Sequence, residues 1–94
     1  MFFKTKYYRL NTYTPSEATY QEYVKVPGKT ERECLDTAQE MAAIFANDLA
    51  YIEYIQRGNT CDYPTYEEFL NECGWSVTQI TKSEYIRAVN PIEA

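Results

Sequence analysis

Between Thr19 and Val26 the chain alternates: Tyr20, Val24 and Val26 fall on one face of an extended segment, and Thr19, Gln21, Tyr23 and Lys25 on the other. That two-residue period predicts a half-buried β-strand. The preceding stretch, "FFKTKYYRLNTYT", is rich in β-branched and aromatic residues but alternates poorly, because Phe2, Phe3, Tyr7 and Tyr8 occupy both faces. A strand reads this way when both faces are covered, as in a central strand or one whose second face meets a partner. Thr14-Pro15-Ser16-Glu17 supplies turn chemistry between them. Residues 1–27 are therefore expected to form a β-hairpin.

The period then changes. "PGKTEREC" closes the second strand and opens a helix, with Thr30 as N-cap and Glu33 three residues on. A helix over 30–58, with Gly58 as its left-handed stop, would be about 40 Å long. Asn47-Asp48 is its weakest point. At 100° per residue one arc collects Cys34, Leu35, Ala38, Met41, Ala42, Phe45, Leu49 and Ile52, the expected core stripe. The opposite side is acidic in its first half, with Glu33, Asp36 and Glu40. Its second half carries Ile44, Tyr51 and Ile55 with Asp48 among them. A helix apolar on two sides is covered on two sides. Either the next helix or the C-terminal tail lies over Ile44, Tyr51 and Ile55, or they form a homodimer seam or a partner site. The first is preferred, because a second helix is close in sequence.

That second helix is expected over 65–74. Thr65 caps it, Glu68 completes another Thr-x-x-Glu box, Tyr66, Phe69, Leu70 and Cys73 form its apolar face, and Gly74 ends it. The segment after Gly74 has two readings. In one, "TYEEFLNECGWSVTQITKSE" resembles the helix-turn-helix of phage-repressor-type regulators, with Gly74 at the turn, Ser76 as a cap and Ile80 as the apolar anchor. It departs from that family at Leu70, where a small residue belongs, and at Ser83, where an apolar one does. DNA readers usually show a basic face, yet Ser76 to Ser83 offers Lys82 alone, after Glu67, Glu68 and Glu72. Trp75, Val77, Thr78 and Ile80 are strong strand formers, and the strand is the preferred reading. Residues 75–90 are then a strand plus a C-terminal segment, "KSEYIRAVNPIEA", that extends the strand or makes a short helix. The expected fold is α+β, β-β-α-α-β in one domain over 1–94. A small antiparallel three-stranded sheet carries one long and one short helix on one face.

Composition prunes the chemistry. The chain has no histidine, which removes the commonest general base near neutral pH and the base of Ser-His and Cys-His systems. Three glycines, Gly28, Gly58 and Gly74, make no phosphate loop. Cys34, Cys61 and Cys73 match no Cys-x-x-Cys ligand pair, and their odd number argues against a disulfide framework. Cys34 and Cys73 fall on apolar helix faces as packing residues, and Cys61 in a loop. No enzyme, cofactor or metal site is expected. No apolar run reaches membrane-spanning length and "MFFKTKYYRL" is no signal peptide, so the default location is the cytoplasm.

Charge is uneven along the chain. Residues 1–30 hold five cations against two acids, whereas residues 31–72 hold ten acids against Arg32 and Arg57. An acidic helical layer studded with Tyr51, Tyr54, Tyr63 and Tyr66 suits a protein partner with a basic surface, and its charge argues against direct nucleic-acid binding. The plainer alternative is that the acids only keep the protein dissolved. Candidate partner-binding residues are Glu33, Asp36, Glu40, Asp48, Tyr51, Tyr54, Tyr63, Glu67, Glu68 and Glu72, with Ile44, Tyr51 and Ile55 as the candidate dimer seam. In size, charge and style the whole chain resembles the small acidic proteins made by bacteriophages and mobile elements. Many of these are one-domain α+β inhibitors of host defence, the anti-CRISPR proteins among them. The resemblance implies stoichiometric binding to a host nucleoprotein or enzyme, with no chemistry performed. A DNA-binding regulator using 65–84 and a homo-oligomeric accessory subunit are the alternatives.

Overall fold

The computed structural model describes residues 4–15, 19–57, 63 and 65–90. Three strands, β1 (Lys4–Tyr13), β2 (Thr19–Gly28) and β3 (Gly74–Ile80), form one antiparallel sheet in the order β2-β1-β3. Three helices accompany them: α1 (Glu31–Arg57), α2 (Tyr66–Asn71) and α3 (Lys82–Val89). The fold is α+β, with the expected β-β-α-α-β order and a third helix after the last strand.

β1 is the central strand, which accounts for its poor alternation. Tyr8, Leu10 and Thr12 are buried on the α1 side. Tyr7, Arg9 and Asn11 are half-buried on the other. Tyr7 meets Tyr85 of α3 there, with ring centroids 5.0 Å apart. The terminal segment is thus a helix, the second of its two expected forms, and it adds a third helix on the sheet face opposite α1. Its start carries the same signature as the other helices. Thr81 accepts from the Glu84 N–H at 3.1 Å, and the Glu84 carboxylate accepts from the Thr81 N–H at 3.3 Å.

α1 runs without a break through Asn47-Asp48. Thr30 caps it, accepting from the Glu33 N–H at 3.1 Å, while Glu33 reaches back to the Lys29 N–H at 3.0 Å. Most of its buried residues are small: Cys34, Ala38, Ala42, Ala46 and Ala50 recur every fourth position, and Tyr54 continues the spacing. Fourfold spacing on a 3.6-residue helix precesses by about 40° per step, so the stripe changes cover along its length. Cys34, Ala38 and Ala42 pack on Tyr8, Leu10, Val24 and Val26 of the sheet. Ala50 and Tyr54 pack on Phe69 of α2. Leu35 and Phe45 flank the sheet core, as expected. Met41 and Ile52, expected inside, are exposed. The helix is rotated so that Cys34, Ala38 and Ala42 sit at the centre of the sheet contact, Leu35 and Phe45 at its edges, and Met41 outside it.

Thr65 caps α2, accepting from the Glu68 N–H at 3.2 Å, and Phe69, Tyr66, Leu70 and Cys73 form its packed side as expected. Gly74 does not end this helix. Glu72 is the C-cap, and Gly74 opens β3 opposite Tyr13, whose ring lies across the space a β-carbon would need. The segment from Gly74 to Ile80 is a strand, so the second helix of the helix-turn-helix alternative is not formed. Gly58 and Cys61 lie outside the described residues. No described helix is long and apolar enough to cross a membrane.

Candidate functional site

The α1 face opposite its alanine stripe is uncovered. Ile44 is 62% exposed, Tyr51 56% and Ile55 57%. The second helix reaches this face at Tyr51, through Tyr66, and still leaves all three residues more than half exposed. The expected cover by that helix is not made, and residues 91–94 of the C-terminal tail lie outside the described residues. α2 lies against a different flank, and α3 is on the far side of the sheet. With Met41 and Asp48 these residues occupy positions 41, 44, 48, 51 and 55, alternating steps of three and four. That is the seam spacing of a helix that pairs with another helix, with one carboxylate among four apolar or aromatic residues.

α2 braces one side of the seam. Tyr66 donates from its hydroxyl to the Asn47 carbonyl at 3.2 Å. Its ring meets Tyr51 edge-on at 5.7 Å and Tyr54 at 5.6 Å. Burial pushes the Tyr66 phenol pKa up, helped by the neighbouring Cys73, Asp48 and Tyr51. Tyr51 is therefore held in place yet still half in solvent.

The other side of the seam falls into a groove of about 220 Å³ between α1 and the sheet, lined by Leu10, Glu22, Val24, Met41, Ile44, Phe45 and Asp48. Five of these are apolar. The remaining two, Glu22 on the edge strand and Asp48 on the helix, are exposed acids and make no ion pair among the described residues. An apolar trough with two carboxylates matches a side chain with an aliphatic stem and a cationic tip, that is lysine or arginine.

The candidate residues named from sequence divide into four groups. Asp48 and Tyr51 stand on the seam with Ile44 and Ile55. Glu40, Glu67, Glu68 and Glu72 are exposed and make no ion pair among the described residues. Glu33 and Asp36 are exposed but engaged within the chain, Glu33 with the Lys29 N–H and Asp36 with Arg32 at 3.0 Å. Tyr54 and Tyr63 are not display residues: Tyr54 is buried against Phe69, and Tyr63 packs half-buried on the same ring. The acids of α1 and α2 do not form one cluster. α2 touches α1 from Asn47 onward, about 10 Å along the axis beyond Glu40.

Sequence reasoning missed Glu22, Phe45 and Met41 as groove residues. The signal for Glu22 was present: it falls on the same face as Val24 and Val26, where a charge has no place in a sealed core. Met41 extends the three-four spacing by one step.

Among the described residues no three Cys, Asp or Glu side chains are grouped so as to hold a metal ion. No family model matches the sequence, and neither the curated proteins nor the solved structures compared with it gave a match.

Proposed function

We propose that this is a non-enzymatic binding protein that captures a basic protein surface along α1, with a lysine or arginine of the partner in the groove between Glu22 and Asp48. The groove carries this reading, since it joins apolar walls to two acids that have no ion pair among the described residues. Tyr51, Ile44 and Ile55 supply the desolvated contacts that dominate affinity at such surfaces. The acids around them speed encounter with a cationic surface. An inhibitor of a host defence or nucleic-acid-handling complex would need such a surface, because nucleic-acid grooves are lined with lysine and arginine.

A second copy of the chain is the weaker occupant. Two-fold pairing about the middle of the seam would bring Asp48 of one copy against Asp48 of the other, and like charges at close range disfavour it.

Association kinetics test the proposal once a partner has been captured. Asp48→Lys with Glu22→Lys is expected to slow association at least roughly tenfold in low salt, and less in high salt. Ile44→Ala is expected to act on dissociation instead. An unchanged association rate for the charge-reversed protein would make the acids a solubilising surface only.

A further inference from the structure

Arg9 stands in the middle of β1, paired with Tyr23 on one side and Thr78 on the other, on the sheet face turned away from α1. It is half-buried. Its Nε is out of solvent and has no hydrogen-bond partner, and its guanidinium makes no ion pair among the described residues. An arginine stays ionised at any ordinary pH, and removing it from water without a counter-charge is costly. Among the described residues nothing supplies that counter-charge at Nε, which leaves a place for an anion.

α3 packs across this face and leaves a cleft of about 200 Å³ lined by Arg9, Tyr23, Ile80, Glu84, Arg87 and Ala88. Arg87, exposed in the last turn of α3, brings a second guanidinium to the same cleft from the opposite wall. Glu84 is the carboxylate of the lining, and it is already engaged. Its Oε1 accepts from the Thr81 N–H at 3.3 Å and from the Thr81 hydroxyl at 3.1 Å. Two guanidiniums against one capped carboxylate leave the cleft with a surplus positive charge.

The geometry points to a binding site for a small oxyanion of the phosphate class, held between Arg9 on the sheet and Arg87 on α3. Donors from two walls suit a tetrahedral group, whose several oxygens can each take a fork of N–H groups. A carboxylate has only one edge to offer. The site lies on the opposite face of the sheet from the α1 groove, so it stands or falls independently of the proposed function.

The test is titration of the full chain with inorganic phosphate at constant ionic strength, against matched chloride and acetate. The arginine side-chain N–H resonances and the melting temperature are followed together. The expected result is a saturable shift of two arginine resonances with a rise in melting temperature, stronger for phosphate than for acetate. Arg87→Gln removes an exposed side chain and should weaken phosphate binding by roughly tenfold or more. Arg9→Met should raise the melting temperature in chloride, because it removes an uncompensated charge, and should abolish the phosphate response. No saturable response beyond chloride would overturn the proposal, as would acetate binding as tightly as phosphate. Unchanged phosphate affinity in Arg87→Gln would overturn it even if Arg9→Met did not fold.

Discussion

The hydroxyl of Tyr66 donates to the backbone carbonyl of Asn47 at 3.2 Å, and this contact sets the flank of α1 on which the second helix lies. With Ala50 and Tyr54 packed on Phe69 just beyond it, α2 takes one side of the long helix. Ile44, Asp48 and Ile55 remain open on the other. Tyr66→Phe keeps the ring and loses the hydrogen bond, at an expected cost of about 1 kcal/mol in urea unfolding. The phenol pKa is raised in the fold, first by burial, so its contribution is complete below about pH 10 and is lost as pH rises above it. Tyr66→Phe should weaken that alkaline loss of stability, which unfolding curves on either side of pH 10 would reveal.

Substitutions on the two faces of α1 should behave oppositely. Ile44→Glu and Ile55→Glu alter side chains already in water, and unfolding free energies should move by no more than about 0.5 kcal/mol. Ala42→Leu, at a fully buried position against the sheet, should cost about 1–3 kcal/mol through overpacking. Light scattering on the wild type and on Ile44→Glu should give a monomer in both. A wild-type dimer that Ile44→Glu dissociates would make the seam a self-contact.

Much of this architecture was written locally in the chain. The alternation around Val24 and Val26, the turn at Thr14-Pro15, and the Thr-x-x-Glu boxes at Thr30 and Thr65 specify their elements within a few residues. The rotation of α1 was not. Met41 and Ile52 outweigh Ala42 and Ala50 on any hydrophobic scale, yet close approach of α1 to the sheet at Ala42 and to α2 at Ala50 favours the alanines. Only the facing elements decide between them. The third helix carried its own Thr81-x-x-Glu84 box, but strong strand formers immediately before it masked the change of period. The acids of the site were legible as charge and not as geometry: Asp36 is paired with Arg32, and Tyr54 belongs to the core. Glu22 and Asp48 meet only when β2 and α1 fold together.

A close approach fixes the junction of β2 with α1. A β-carbon at Gly28 would sit 2.8 Å from Cys34 Sγ and 3.1 Å from Cys34 N, and Cys34 is fully buried. Gly28→Ala should therefore destabilise by about 1–3 kcal/mol. Cys34→Ala removes one of the two clashes, so in a double-mutant cycle the pair should lose less than the sum of the single changes. Strict additivity would mean that the strand end moves away freely and that the contact constrains nothing.

The link between β1 and the first turn of α1 is an ion pair, Lys6 to Glu31 at 3.1 Å. The hydrogen bond from Lys6, with its charge and that of Lys4, holds the Glu31 carboxyl below the usual carboxylate range. In that window the unfolded chain binds the proton more readily, so stability rises with pH. The contribution is complete above the ordinary carboxylate pKa and is lost as pH falls through the lower folded value, below about pH 4. Lys6→Met should flatten that part of the acid limb and leave the neutral region nearly unchanged. Urea unfolding at about pH 3 and about pH 6 compares the two, and an identical acid limb in the variant would show that the pair is not formed in solution.

The central claim is that the uncovered seam of α1 takes a basic protein partner. Its most direct measurement is quantitative capture from a bacterial lysate by the immobilised wild type, Ile44→Glu, Asp48→Lys and, as a control on another surface, Lys25→Glu. The expected result is a protein with a basic surface that the wild type and Lys25→Glu retain equally. Ile44→Glu should lose it, and Asp48→Lys should hold it at least roughly tenfold more weakly. A captured protein held equally well by Ile44→Glu and Asp48→Lys would contradict the claim and move the binding surface off α1.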